Sequence, residues 1–403
     1  MNSAIASPFH GFASLFRMAL SGTDMMPLRA ELIERATLDP GDANALWDLS
    51  MLLQLTGNHD LALQVQSQAL HEGRRYHVPA SVEPARVRLL AIMGPGDLMA
   101  NTPIECLLEG TDVALDIVYV TRECALPDTL PDHDVLMVCV GENDDNRPLL
   151  DRLAFDLREW PKPVVNLAEY ILGVSRDGVC ARLQGAPGIA RPVTARVPRA
   201  TLAEIADGRR ELTTVLPNAT FPIIARPAGS HAGTGLVKID ALSEIAAYLE
   251  VQPDAEFCLT PFVDYRQPDG LFRKYRIALI DGRPFLGHLA ISEHWMIHYL
   301  NAGMAESAEK RAEEARVMAT FDDDFARRHQ AAFAAIAERI GLDYLGIDCG
   351  ETPDGQLLIF EADNSMVIHD MDPVDLYPYK HPQMQKLFAG FRDMLFARMT
   401  RPV

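Results

Sequence analysis

Three carboxylates near the C-terminal end carry the first chemical signal. Glu361 and Asp363 close an apolar run, Gln356 to Phe360, and Asp348 sits inside another, Tyr344 to Gly350. Between the runs lies Thr352-Pro353-Asp354-Gly355, where Pro fixes φ and Gly accepts a positive one. The stretch therefore reads as a β-hairpin. Residues two apart on a strand share a face, so Glu361 and Asp363 point the same way, and if the hairpin is in register Asp348 can reach that face from the neighbouring strand. Carboxylates set in apolar strands need a counter-charge, because burying an unpaired charge is costly. Mg²⁺ supplies one, since it takes hard oxygen ligands and shares them with substrate phosphates. A cluster solvated at a strand end or paired with Arg explains the hairpin equally well.

Cations lie upstream. Lys274 and Arg276 share one face of an apolar strand, Phe272 to Ile280, which turns at Asp281-Gly282 and returns over Pro284 to Ile291. Arg226 lies in the strand Phe221 to Pro227, which empties into the loop 228–235; Leu236 to Ile239 follows as a strand. Gly229, Ser230, His231, Gly233 and Gly235 make this neither a Walker loop nor a dinucleotide fingerprint, both of which open a helix. Between two strands it can fold over a polyphosphate and offer backbone N–H groups, although Gly-rich hairpin loops are common. Glu256 to Val263 is a further strand. The segment 288–304 carries His288, His294, His298, Tyr299 and Asn301 around Trp295, Met296 and Ile297. It can line a substrate pocket, with His298 as a general base; or Trp295 and Tyr299, four apart, form a helical core stripe. There is no nucleophile elbow or triad.

Positioning these groups takes more than one domain, and 403 residues allow two or three. A net charge of -19 argues against nucleic acid, which needs clustered Lys and Arg. The cysteines (Cys106, Cys124, Cys139, Cys180, Cys258, Cys349) form no CxxC pair, which suits a reducing cytoplasm. Neither a signal peptide nor a membrane span is read in the chain. Residues 10–77 read as wholly helical. Ala43, Leu46, Leu49, Ser50, Leu53, Gly57, Ala62 and Ala69 resemble one tetratricopeptide unit, either a dock for a protein partner or, favoured, a cap on the rest of the chain. After a linker at 78–84, apolar strands alternate with helices, which means a parallel sheet covered on both faces. The acidic loop 141–146 follows the third strand, where open α/β sheets bind ligands. Helices are expected over 175–185, 307–340 and 383–399.

This order of parts resembles the ATP-grasp superfamily over roughly residues 86 to 398, most densely from 221 to 369. The helical start, the His-Trp segment and the Glu-Ala-x-x-x-Met-x-x-His ending look like the tetratricopeptide-linked ATP-grasp proteins of bacteria. The resemblance implies an α/β (α+β) fold: a helical cap at 1–77, a parallel α/β pre-ATP-grasp domain at 86–170, and an ATP-grasp domain at 171–403 divided near residue 262. By position, Arg226 stands where a Lys binds the α- and β-phosphates. Residues 229–235 match the closing loop, Thr260, Pro261, Phe262 and Val263 the adenine hinge, and Arg276, with Lys274 beside it, the Arg that stabilises an acyl phosphate. Asp348 and Glu361 match Mg²⁺ ligands, with Asp363 in place of the usual Asn. Gly178 replaces a Lys, a gap that Arg176 or Arg182 can fill. The implied activity is ATP-dependent ligation of a carboxylate to an amine, with ATP and two Mg²⁺. The substrates would be small molecules or peptides, and a homodimer is allowed. A nucleotide-sensing scaffold and an ATP-grasp kinase without ligation are the alternatives.

Overall fold

The structure, a computed structural model, describes residues 8–122, 126–127, 129–190, 192–230, 233–298 and 301–400. His231, Tyr299 and Cys124 lie outside the described residues. Four helices begin the chain: α1 (Gly11–Leu20), α2 (Met26–Leu38), α3 (Ala43–Leu55) and α4 (His59–Glu72). Asp42 caps α3, accepting from the Ala45 N–H at 3.0 Å. The apolar faces of these helices, with Leu15, Leu32, Trp47 and Leu53, bury in a core shared with the first sheet and the C-terminal helix.

The helical reading of 10–77 fails at its end. The strand β1 (Arg75–Val78) follows α4 and turns Tyr76 inward against Trp47 and Tyr119. Helical spacing held as far as His71, but Gly73 ends the helix in an extended conformation, packed so closely that a Cβ there would lie 2.9 Å from the Ala43 Cβ.

The first sheet continues through β2 (Val87–Met93), the short helix α5 (Ile104–Leu107), β3 (Val113–Tyr119), β4 (Val135–Val138), α6 (Arg147–Asp156) and β5 (Val164–Val165). Its order is β1-β3-β2-β4-β5. All neighbours are parallel except β1, which runs antiparallel along β3. The loops leaving β2 and β4 meet at the carboxyl ends of the strands: the Gly141 N–H donates to the Ala100 carbonyl at 2.8 Å, and Asn101 donates to the Gly94 carbonyl at 2.8 Å.

Two buried carboxylates tie α1 to this unit. Asp48 accepts the N–H groups of His10 (2.8 Å) and Gly11 (3.1 Å), and Glu105 accepts that of Ala13 (3.1 Å). Burial pushes Asp48 from 3.8 up to about 6 and Glu105 from 4.5 up to about 7. A carboxyl whose folded pKa is raised contributes its stability in full below the unfolded value, and loses it as pH rises through the folded one. The melting temperature is therefore expected to fall between pH 4 and 7. For Asp48 the loss is on the order of 3 kcal/mol, and Asp48→Asn should flatten that share of the slope. An unchanged slope in the variant would refute the assignment.

The helices α7 (Ala168–Ile171) and α8 (Arg176–Arg182) lead to β6 (Ile189–Ala190), β7 (Ala195–Pro198), α9 (Arg199–Ala206), β8 (Ile223–Pro227), β9 (Val237–Ile239), α10 (Glu244–Val251) and β10 (Glu256–Pro261). The strands β7-β10-β8-β9 form an antiparallel second sheet with a core of its own, in which Leu202, Leu216, Ile245 and Phe257 are buried. The sequence reading gave no element to β6, β7, α9 or α10. The two strands are four residues or fewer and are defined by their partners rather than by an internal pattern.

The third sheet follows: β11 (Phe272–Ile280), β12 (Arg283–Ser292), α11 (Ala308–Thr320), α12 (Phe325–Arg328), α13 (Gln330–Ile340), β13 (Tyr344–Glu351) and β14 (Leu357–Asp363), then the closing helix α14 (Lys380–Thr400). Its order is β12-β11-β13-β14-β6. Asp281 (φ 47°) and Gly282 (φ 76°) make the expected tight turn between β11 and β12. The α/β class and the expected hairpin at 344–363 are both present. Among the described residues no helix is long and apolar enough to cross a membrane.

Candidate functional site

The third sheet places four side chains in one cross-strand row. His288 on β12 pairs with Arg276 on β11, Arg276 with Asp348 on β13, and Asp348 with Glu361 on β14. The register of β13 against β14 slips between Asp348 and Cys349, so Phe360 is an extra residue. Such a bulge re-aims side chains, and Asp363 comes to pair with Gly346. Cys349 faces the core, away from Asp348.

Asp348 is buried and doubly held. Arg276 donates to it through Nε at 2.8 Å and Nη2 at 2.9 Å, and Lys274 through Nζ at 2.9 Å. Burial alone would raise the Asp348 carboxyl, but Arg276 and then Lys274 outweigh it and hold the group well below its usual range. Asp363 is the opposite case. Burial, and then the neighbouring Glu361, push it up to about 7, and its acceptor bonds come from Ser365. Among the described residues no group of three or more His, Cys, Asp and Glu side chains gathers as a metal nest. Both oxygens of Asp348, expected as a ligand beside Glu361 and Asp363, accept from cations.

The second sheet supplies the facing wall. Arg226, Ile224, Cys258, Thr260 and Lys238 alternate with the core residues Ala225, Phe257, Leu259 and Ile239, so they share the other face. Arg226 donates through Nε to Ser230 Oγ at 3.1 Å and through Nη2 to the Ser230 carbonyl. Arg176, the first residue of α8, reaches the same loop. It donates to the carbonyls of Ala228 (3.1 Å) and Ser230 (2.9 Å), and to Glu361 Oε1 at 2.8 Å. Two guanidiniums therefore meet at one carbonyl oxygen, and one of them bridges to the acidic strand end of the opposite sheet. Burial, and then Arg176, lower Arg226 to about 10.

Gly178 cannot carry a longer side chain in this geometry, because a Cβ would lie 2.7 Å from Ser175 Oγ and 2.8 Å from the Gly173 carbonyl. Arg182 points elsewhere, donating to the carbonyls of Arg339 and Ile340. Of the two candidate substitutes for the missing Lys, only Arg176 enters the site.

In the loop, Gly233 (φ 78°) and Gly235 (φ 66°) adopt left-handed backbone, and a Cβ on Gly235 would also strike the Pro227 ring at 2.6 Å. Gly229 has open space around it. At the hinge, Thr260 and Pro261 end β10, and the Phe262 N–H donates to the Pro222 carbonyl at 3.0 Å. The Phe262 ring meets Trp295 edge-on at 5.7 Å, and Lys238 Nζ sits 5.0 Å from its centroid. A cleft of about 490 Å³ opens here, lined by Pro222, Lys238, Phe262, Phe272 and Trp295 among others. Val263 packs against the main core.

The segment 293–298 is bent chain rather than helix, so Trp295 sits on no helical stripe. His294 and His298 are exposed, and His288 is half-buried with its Nε2 enclosed. Burial, and then Lys274 and Arg276, lower His298 below its ordinary value. One structural residue was missed. Asn364 is buried, donates to the Val140 carbonyl at 3.0 Å, and its own carbonyl accepts from Thr102 Oγ1 at 2.7 Å, so the end of β14 is fixed to the first sheet. Lying next to the Glu-x-Asp signal, it read as part of the loop that follows.

No protein-family profile matches the chain, and no curated protein matches it. Solved structures do. The chain is similar to a D-Ala:D-Ser ligase from Enterococcus faecalis at 15% identity, covering 78% of this chain and 99% of that one, with a TM-score of 0.48. It is similar to a D-alanine–D-alanine ligase from Bacillus anthracis complexed with ATP at 13% identity, 78% and 96% coverage, TM-score 0.46. It is similar to a RimK domain ATP-grasp protein from Sphaerobacter thermophilus at 16% identity, 76% and 99% coverage, TM-score 0.42.

Proposed function

We propose that this chain is an ATP-grasp enzyme that joins a carboxylate to an amine at the cost of ATP, through an acyl phosphate. The observation that carries the reading is the meeting of Arg176 and Arg226 at the Ser230 carbonyl, with Arg176 also on Glu361. Two like charges brought together under a Gly-rich loop cost free energy unless an anion joins them. A polyphosphate is such an anion, and the loop carbonyl holds its place. Lys238 and the hinge residues Thr260 to Val263 extend the same wall toward a base.

The oxygen donors fit Mg²⁺. Glu361 and Asp363 form an acidic strand end, where burial and then Glu361 raise the Asp363 carboxyl. Mg²⁺ commonly takes one or two carboxylates and completes its shell with phosphate and water, so a full protein nest is not required. When bound, it would neutralise phosphate charge. Asp348 then serves to fix Arg276 and Lys274 beside Glu361. In this reading a substrate carboxylate oxygen bonds to the γ-phosphorus and ADP leaves. The amine then bonds to the acyl carbon, and phosphate leaves with that oxygen. Arg276 offsets the charge of the acyl phosphate, and catalysis is positioning and charge neutralisation throughout. His298, held below its ordinary pKa by partial desolvation and then by Lys274 and Arg276, can take a proton from the attacking ammonium.

Incubation with Mg·ATP and panels of acids and amines tests this. Release of ADP and phosphate only when acid and amine are both present supports ligation. A stable phosphorylated product instead of free phosphate indicates a kinase, and no ADP at all indicates a nucleotide-binding scaffold. For the productive pair, His298→Ala is expected to lower kcat roughly 10²-fold with nucleotide KM unchanged. Unchanged kcat/KM for acid and amine would remove His298 from the mechanism.

A further inference from the structure

We infer that the N-terminal helix α1 is a positioning element for Arg276, acting through Phe16 and Arg17 on the strap 366–370. The inference rests on the ligase reading for the role given to Arg276. After Asn364 fixes the end of β14, the chain does not leave the site. It crosses the third sheet, with Met366 beside Gly346 of β13, Ile368 beside Gly287 of β12, and both side chains buried. The Val367 carbonyl accepts from Arg276 Nη1 at 3.0 Å. Arg276 thus has two donors on Asp348 and one on the strap, so the strap is a separate point of attachment for its guanidinium.

The far end of the strap belongs to α1. The Phe16 ring meets His369 nearly perpendicular at 5.4 Å. Arg17 Nη1 donates to the Asp370 carbonyl at 3.4 Å, and its Nη2 grips both oxygens of Glu109 at 2.7 Å. The helix is itself held at its N-terminus by Asp48 and Glu105, and Phe12 stacks on Phe16 at 5.2 Å. Gly11 is part of that seat: it has φ 75°, and a Cβ there would lie 2.5 Å from Glu105 Oε2. A continuous set of contacts therefore runs from α3 and α5 through α1 and the strap to Arg276. A charge that must meet a developing charge has to be held in place beforehand. That requirement gives the N-terminal helices a task in catalysis.

The test compares the full-length chain with Phe16→Ala, Phe16→Tyr and Arg17→Met. In Phe16→Ala, hydrogen exchange over 366–371 is expected to quicken about tenfold, while 344–351 and 357–363 stay as they were. With the acid and amine that support ADP release, kcat should fall about tenfold at unchanged nucleotide KM, since small misplacements cost rate rather than nucleotide affinity. Phe16→Tyr keeps the ring and should restore both, and Arg17→Met should show the same pattern more weakly. The inference is overturned if exchange over 366–371 does not respond in Phe16→Ala and Arg17→Met. It is also overturned if exchange rises evenly across 11–72 with a drop in melting temperature, or if kcat is untouched. A strap that responds in a chain that never releases ADP would retire the ligase reading while leaving the contact between α1 and the strap established.

Discussion

Glu361→Gln is expected to abolish ADP formation, with a loss of about 10³-fold or more, while the protein melts within a few degrees of the unaltered chain. Glu361 is half-exposed at the strand end, pairs with Asp348 across the sheet and accepts from Arg176 at 2.8 Å. Gln keeps the shape and can still accept from Arg176. What it removes is negative charge, and the oxygens facing the phosphates must carry that charge if they are to hold Mg²⁺. The substitution also relieves Asp363 of a like-charged neighbour, which should lower its pKa from about 7. Stability should change little, because relief of the crowded Asp363 offsets the lost charge pairing with the partly exposed Arg176. Steady-state ADP release and a thermal melt check this together. Near-normal turnover would take Glu361 out of the phosphate site.

Arg226→Met is expected to weaken Mg·ADP binding about 100-fold, measured by calorimetry, again with little change in melting temperature. Charge-assisted bonds to phosphate contribute about 1.5–3 kcal/mol each, and Arg226 is the cation the second sheet aims at the loop. The free protein gains little from it: burial and Arg176 already lower its pKa to about 10, so its charge is held at a cost without an anion. Met fills similar space without that cost. Arg226→Lys should recover part of the affinity, since a Lys retains the charge and loses the second donor. Equal affinity in the Met variant would mean the phosphates lie elsewhere.

The groups on regular strands were legible in the sequence, and those placed by irregular backbone were not. Lys274 with Arg276, and Glu361 with Asp363, followed from a period of two, and the structure puts each pair where that period requires. The tight turn at Asp281-Gly282 followed from residue type alone. The bulge at Phe360 has no local signature, so the pairing of Asp348 with Glu361 depended on a register the sequence could not supply. The commitment of Asp348 to Arg276 and Lys274 was likewise hidden, because charge pairing is a fact of distance between strands 72 and 74 residues apart. The reading of 10–77 overran into β1 because Gly73 and Tyr76 are turned by tertiary packing rather than by propensity. Arg176 was one of two candidates until the crowding at Gly178 and the direction of Arg182 separated them.

The central claim is that a substrate carboxylate attacks the γ-phosphate. The most direct measurement uses a carboxylic acid labelled with ¹⁸O in both oxygens, in the acid and amine pair that supports ADP release, with unlabelled Mg·ATP. Mass spectrometry then reads the released phosphate. The account predicts one ¹⁸O in each phosphate formed, because the bond that breaks in the second step joins the acyl carbon to the oxygen that attacked phosphorus. Phosphate free of ¹⁸O, formed at the same rate as product, would contradict it.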